Sequence, residues 1–192
     1  RIIVSTPRED IGASMLIAED LSPNINVPVE VVPMEELEKV LCNSNNGTIV
    51  TSRYFLQPLE KLAKKYNVRA IAVDLSDFQK ELKIIKELKP GSCVGIVSIS
   101  PGLLRAAEII INSMKGSDII LMTAISDNSS RLVALLKASN QIICDGPSLS
   151  VVENTLIKNR SQLMRVPQII CAKNYLSIET INQLKTEIGV IN

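Results

Sequence analysis

The sequence predicts an α/β fold with parallel strands and flanking helices, and three observations support this class. Apolar strands repeatedly lead into a small polar loop and then a helix, as in residues 1–9 and 94–104. Hydrophobic residues make up 46% of the chain but aromatic residues only 3%, which favours aliphatic strands covered on both faces. The 192 residues suffice for one domain or for two lobes of about ninety residues.

The first half of the chain alternates strands with helices. Thr6, Pro7 and Glu9 predict a capping box at the start of a helix that runs to Leu21. Ser76 is expected to open a later helix, which ends at a Lys-Pro-Gly sequence. The strands of this half are expected at residues 1–5, 27–32, 48–51 and 68–75.

The second half repeats the pattern. Its strands are expected at residues 93–99, 118–125, 141–144 and 168–172. We interpret the proline-containing connections near 89–91 and 165–167 as crossovers between two lobes, as in periplasmic-binding-protein-like effector domains. Lobe I then comprises 1–90 plus 165–192, and lobe II comprises 91–164. A single doubly wound sheet is the alternative, because composition does not distinguish a hinge from an ordinary loop.

Charge and hydropathy exclude several classes of protein. The 21 Lys and Arg against 20 Asp and Glu give a net charge of +1, without the basic surface that phosphate-backbone binding requires. No apolar run approaches the ~18 residues of a membrane span, and no signal peptide precedes the first strand. We therefore expect a cytoplasmic protein, and the mean hydropathy of +0.21 favours an oligomer. Since Arg1 already begins a strand, we expect a piece of a longer polypeptide.

The loops after the strands hold the candidate ligand-binding residues. Helix N-termini at these positions present free N–H groups to an anion, so we expect a small anionic effector there. In the loop 98–102, a serine can cap the helix and a glycine lets an anion approach the backbone. Arg53 could hold a carboxylate or phosphate through its bidentate fork, or could be a solvated surface residue. The full candidate set is Thr6, Arg8, Ser52, Arg53, Tyr54, Ser98, Ser100, Gly102 and Asp145.

The cysteines indicate possible redox chemistry, and the absence of histidine argues against catalysis and metal binding. The sequence Gln-Ile-Ile-Cys occurs twice, ending at Cys144 and Cys171, so adjacent strands in register would bring the two thiols within disulfide distance. Such a redox pair is one hypothesis, and two small buried side chains are the other. With no His and no carboxylate pair, we expect no catalytic residues, no metal site and no cofactor.

Four sequence blocks resemble a known family. They are Thr51-Ser-Arg-Tyr-Phe55, the long segment from Gly91 to Glu108, Gln141-Ile-Ile-Cys-Asp145 and Pro167-Gln-Ile-Ile-Cys171. In these blocks the chain resembles the C-terminal domain of the cyanobacterial PlmA-type transcription regulators of the GntR family. The resemblance extends over essentially all of the chain, and the central block is its most specific part.

The resemblance implies a cytoplasmic homodimeric regulator whose N-terminal winged helix-turn-helix, absent from this chain, binds DNA. This domain would then serve effector sensing, dimerisation and partner docking, and the family is associated with the nitrogen-signalling protein PII and its partner PipX. Two other functions stay open from the residues alone. One is a solute-binding protein of a transport system, and the other is a small-molecule transferase that uses an anion at residues 98–102.

Overall fold

A computed structural model describes residues 1–44 and 46–189. The chain divides into two compact units, which we call unit 1 (residues 1–77 and 174–192) and unit 2 (residues 78–173). Each unit contains one parallel four-stranded sheet with flanking helices. The predicted two-lobed α/β class is confirmed, and the alternative of a single doubly wound sheet is wrong, because the strands form two separate sheets.

Unit 1 holds a sheet with the strand order β2-β1-β3-β4. One face of this sheet packs against α1 and α8, and the other against α2 and α3. The aliphatic side chains alternate between the two faces along each strand, as expected of strands buried on both sides. The elements are β1 (Ile2–Val4), α1 (Ile11–Leu21), β2 (Val29–Val31), α2 (Met34–Asn43), β3 (Thr48–Ser52), α3 (Leu56–Tyr66), β4 (Arg69–Val73) and α8 (Ile178–Ile188).

Unit 2 has the corresponding strand order β6-β5-β7-β8. Helices α4 and α5 cover one face of its sheet, and α6 and α7 cover the other. The elements are α4 (Gln79–Lys86), β5 (Cys93–Ser98), α5 (Pro101–Lys115), β6 (Ile120–Ile125), α6 (Ser129–Ala138), β7 (Gln141–Asp145), α7 (Gly146–Asn159) and β8 (Gln168–Ala172).

A glycine in the central strand of unit 2 lets a helix approach the sheet closely. A Cβ atom on Gly95 would lie 2.4 Å from Leu135 Cδ2 and 2.9 Å from Ser139 Oγ, both at the end of α6. These distances are shorter than real Cβ contacts, so a larger residue requires the side chains of Leu135 and Ser139, or α6 itself, to move. The absence of a side chain at Gly95 therefore leaves room for these residues of α6 over β5.

The start of α1 differs from the prediction. A 3-10 turn spans Arg8–Asp10 and α1 begins at Ile11, with no side-chain hydrogen bond at its N-cap. Thr6 Oγ1 instead donates to the Asp10 carbonyl at 2.7 Å and lies 2.8 Å from Ser14 Oγ. The predicted capping box is therefore wrong, because the Thr6 hydroxyl is taken by the following turn.

The chain changes unit between residues 77 and 78 and again between 173 and 174. The sequence placed these changes near 90 and 165. The strand after the second connection, β8, pairs with β7 in unit 2, so only α8 returns to unit 1. Asp20 holds this return in place: its Oδ2 accepts the N–H groups of Tyr175 and Leu176 at 2.6 and 2.7 Å. Burial raises the Asp20 pKa, while these two N–H groups oppose that rise.

Candidate functional site

The carboxyl edge of the unit 2 sheet is organised by Asp145, the last residue of β7. Its Oδ2 accepts the Ser98 hydroxyl at 2.7 Å and the Ile99 N–H at 2.9 Å, and its Oδ1 accepts the Ser148 N–H at 2.9 Å. Asp145 is only 3% exposed. The carboxylate thus caps α7 and ties the end of β7 to the loop after the neighbouring strand β5.

The same loop continues the network to α5. Ser98 Oγ accepts the N–H of Ser100 at 3.0 Å, and Ser100 Oγ caps α5 by accepting the N–H of Leu103 at 3.1 Å. Pro101 contributes no N–H donor. The predicted cap at Ser100 is confirmed. The chain's own oxygens therefore bind three N–H groups of this loop, those of Ile99, Ser100 and Leu103, where an anion was expected.

The electrostatics of this edge follow from the same geometry. The Asp145 carboxylate lies at the N-terminus of α7, where the helix dipole and the Ser148 N–H favour negative charge. The Ser148 hydroxyl is buried and has no hydrogen-bond partner in the described part of the chain. An incoming anion would have to approach a buried carboxylate. A neutral or cationic polar group would meet a more favourable environment here.

The carboxyl edge of unit 1 has a different character, with buried hydroxyl groups rather than a carboxylate at its centre. Ser5, Thr6, Thr51 and Ser52 are buried at the ends of the adjacent strands β1 and β3. Within residues 1–44 and 46–189, Ser5 Oγ and Thr51 Oγ1 find no hydrogen-bond partner. Thr6 and Ser52 thus lie at the predicted strand ends and are buried, whereas Arg8 and Arg53, which follow them in the chain, are exposed.

Both predicted anion-binding arginines of unit 1 are already paired with carboxylates. Arg53 Nε and Nη2 hold Asp74 in a bidentate pair, at 3.0 and 2.8 Å, and both side chains are about half exposed or more. The hydrogen bond to Asp74 raises the Arg53 pKa. Arg8 pairs with Glu36, and its backbone N–H bonds Glu35. Tyr54 lies beside Arg53 and is 82% exposed.

The two cysteines of the repeated tetrapeptide are neighbours across the sheet. Cys144 and Cys171 face each other in the register of the parallel pair β7 and β8, as the hypothesis required, and no disulfide joins them in the structure. Adjacent parallel strands lie about 4.8 Å apart, within the Cα range of a disulfide. Burial, and then the neighbouring Cys171, raise the pKa of Cys144 to about 12. Cys144 is therefore a protonated thiol at neutral pH and a slow nucleophile.

A surface cluster in unit 1 was not found from the sequence. Cys42 Sγ lies 3.0 Å from Tyr66 Oη, and Glu38 accepts both the Tyr66 hydroxyl and the Lys65 ammonium, at 3.1 and 2.6 Å. Hydrogen bonding to Cys42, with smaller effects of partial burial and Glu38, raises the pKa of Tyr66 to about 12. These residues come from α2 and α3, so only the packing of the two helices reveals the cluster.

The structure sorts the candidate residues into two groups. Thr6, Arg8, Ser52, Arg53 and Tyr54 lie at the carboxyl edge of the unit 1 sheet. The others lie at the carboxyl edge of the unit 2 sheet, namely Ser98, Ser100, Gly102 and Asp145.

Sequence reasoning missed Ser148 and Asp74. Each lies shortly after the end of a strand, where the other candidate polar residues were also found.

In the described part of the chain, no three His, Cys, Asp or Glu side chains are grouped to hold a metal ion. No helix described between residues 1 and 189 is both long and apolar enough to cross a membrane.

Two parallel sheets with flanking helices define an α/β protein, and each sheet has polar loops at its carboxyl edge, where ligands commonly bind in this class. A family model for the C-terminal domain of cyanobacterial PlmA-type GntR regulators matches residues 80–173, nearly all of unit 2. Over this segment the chain is similar to the C-terminal domain of PlmA-type GntR regulators, and the resemblance seen in the sequence is confirmed for residues 80–173. No curated protein matches the chain.

Proposed function

We propose that the chain is the effector-sensing and dimerisation domain of a GntR-type transcription regulator. The family match over residues 80–173 is the observation that carries this function. DNA binding would belong to the N-terminal domain that the family resemblance implies, and the protein would act in the cytoplasm as a homodimer. The same resemblance suggests PII and PipX as partners. The domain itself would perform no catalysis.

The most suitable place for an anionic effector is the Arg53–Asp74 pair in unit 1. Both side chains are largely in water, so separating them costs little free energy. The guanidinium fork fits a carboxylate or phosphate as well as it fits Asp74, and Tyr54 offers an exposed ring beside it. Binding would then replace the Asp74 carboxylate at Arg53 by the anionic group of the ligand and release Asp74.

Light scattering on the purified chain and a thermal-shift screen of small carboxylates and phosphate esters test this function. We expect a dimer, and a ligand whose stabilisation is lost in Arg53→Gln. Arg69→Gln is the matched control, because Arg69 is also an exposed, ion-paired arginine of unit 1 but lies at the start of β4 rather than at the carboxyl edge. A monomer that responds to none of these compounds contradicts the proposal.

A redox role for Cys144 and Cys171 is a separate proposal. Hydrogen peroxide would oxidise the two thiols to one disulfide and be reduced to two water molecules. Their register supports the bond, whereas the high pKa of Cys144 makes it slow, so the half-buried Cys171 would react first. Peptide mapping under non-reducing conditions after peroxide treatment should find the Cys144–Cys171 link. Two free thiols in that map would contradict a redox pair.

The two alternative functions, a solute-binding protein and a transferase, predict different behaviour from the regulator. A solute-binding protein of transport would bind its ligand as a monomer and would be exported, and a transferase would turn over a substrate at residues 98–102. The family match favours the regulator over both. The network at Asp145 adds to this preference, because it uses the N–H groups that a transferred anion would need.

A further inference from the structure

The near-neutral charge of the chain conceals opposite charges on its two units. Unit 2 contains twelve Lys and Arg against seven Asp and Glu, a net charge of +5. Unit 1 contains nine Lys and Arg against thirteen Asp and Glu, a net charge of −4. A separation of this size over one small chain creates surface potentials that favour contact with an oppositely charged surface.

The positive charge of unit 2 is concentrated where its strands begin. Helices of a parallel α/β unit run against the strands, so the ends of α4 to α7 lie at the amino edge of the sheet. The backbone joins these ends: the N–H of Gly91 bonds the Asp118 carbonyl, and the N–H of Gln168 bonds the Asn140 carbonyl. We call this surface the basic edge. Its cationic residues are Lys86, Lys89, Lys115, Lys137, Lys158, Arg160 and Arg165.

Helix capping accounts for only part of this charge. The Lys115 ammonium donates to the carbonyls of Lys86 and Leu88, and Arg165 donates to the Ala138 carbonyl at the end of α6. The other side chains of the basic edge are exposed. Glu87 and Asp118 are the acidic residues beside them, so the edge keeps a large excess of positive charge.

The basic edge also carries exposed apolar side chains, which is a second and independent observation. Met164 is fully exposed, and Ile157 is 70% exposed. Val166 and Ile120 are exposed too, at the starts of β8 and β6. Apolar anchors surrounded by charge are typical of a protein-docking surface. A surface that binds only phosphate groups would not need them.

We propose that the basic edge docks on unit 1 of a second copy of this chain. The inference rests on the proposed dimerisation and gives it an interface. Pairing of two basic edges with each other would bring like charges together, which is unfavourable. Unit 1, with a net charge of −4, is the oppositely charged surface that every second copy supplies. The contact therefore joins different surfaces of the two copies, and a two-fold axis repeats it so that the assembly closes as a dimer.

Sedimentation analysis of the full chain at low and high salt tests this interface. The triple variant Lys137→Glu, Lys158→Glu, Arg160→Glu reverses three exposed charges of the basic edge. At about 50 mM salt it should raise the dimer Kd at least about tenfold, and the effect should shrink at about 0.5 M salt. Met164→Glu should weaken the dimer too, and this fully exposed position carries little risk of misfolding.

The matched control reverses three exposed charges of unit 2 outside the basic edge. Lys80→Glu, Lys83→Glu, Arg105→Glu changes the net charge of the unit by the same amount, so its dimer Kd should stay within about threefold of wild type. Carbodiimide treatment of mixed isotope-labelled and unlabelled chains gives a second readout. It should yield amide links between copies, from Lys137 or Lys158 to carboxylates of unit 1.

Three results would overturn the inference. If edge and control variants weaken the dimer equally, or neither does, the interface lies elsewhere and dimerisation stands. If the edge variant keeps the dimer but loses binding to a short DNA duplex, the surface is a phosphate-binding one. If the wild-type chain is a monomer at every concentration and salt, the inference and the proposed dimerisation both fail.

Discussion

Replacing Asp145 should cost unit 2 more stability than replacing any exposed carboxylate of that unit. In Asp145→Ala, the N–H groups of Ile99 and Ser148 lose their only described acceptor, and the Ser98 hydroxyl loses its own. Each buried N–H without a partner costs about 1–3 kcal/mol, whereas the hydroxyl can rotate toward another acceptor. We therefore expect the free energy of unfolding to fall by about 3–5 kcal/mol.

Asp145→Asn keeps the shape of the side chain at this position but removes its negative charge. The amide oxygen can still accept one N–H, but the amide nitrogen then points at a donor on the other side. We expect a loss of about 1–3 kcal/mol for this variant, between that of the alanine variant and wild type. Ser100→Ala removes only the cap of α5 and should cost about 1 kcal/mol.

Urea unfolding followed by far-ultraviolet circular dichroism measures these changes through the midpoint and the slope. Asp127→Ala, at an exposed loop position of the same unit, is the control and should change the free energy by less than about 0.5 kcal/mol. An Asp145→Ala protein that unfolds within this same small range would refute the reasoning. Asp145 would then belong to a binding site rather than to the framework of unit 2.

Four further changes have defined outcomes. Gly95→Ala should lower the free energy of unfolding by about 1–3 kcal/mol, measured by urea titration, because its Cβ would clash with α6; a neutral result would mean that α6 can shift at no cost. Asp20→Ala should cost about 2–4 kcal/mol in the same titration, since two buried N–H groups lose their acceptor, whereas Asp20→Asn should cost less; equal losses would contradict this account. Between the ordinary thiol pKa of 9.0 and about 12, the native state keeps a proton on Cys144 that the unfolded chain releases. The stability of wild type relative to Cys144→Val should therefore fall by up to about 1.4 kcal/mol per pH unit above 9, and a constant difference would show that the thiol is not desolvated. Asp74→Asn should strengthen the binding of any anion held by Arg53, measured by calorimetry with the screened ligand; an unchanged Kd would place the anion elsewhere.

The fold could be predicted from the sequence because the aliphatic runs, the polar loops and the helix caps all indicate the same α/β arrangement. Short aliphatic runs separated by polar loops predicted the eight strands of the described residues, and the cap at Ser100 was correct because proline and glycine follow it. The capping box at Thr6 failed for a local reason. Its hydroxyl found a carbonyl and a second hydroxyl within the next two turns, a competition that residue types alone do not reveal.

The candidate site could be predicted only in part. The predicted strand ends gave the position of each candidate residue at the edge of a sheet. They did not predict which group each side chain would bond to. Arg53 was expected to face a ligand and instead holds Asp74, which lies at the end of a neighbouring strand. The charge difference between the units could not be predicted either, because it depends on which segments of the chain fold together into each unit.

The way in which the chain passes between the units has a consequence for biosynthesis. Unit 2 is one uninterrupted stretch of sequence, so a ribosome delivers all of it before translation is complete. Unit 1 must wait, since its core includes Leu176, Ile181 and Leu184 near the C-terminus. When residue 173 has just emerged from the ribosome, the nascent chain would therefore display a complete unit 2 joined to a unit 1 with an open apolar groove, which chaperones could bind.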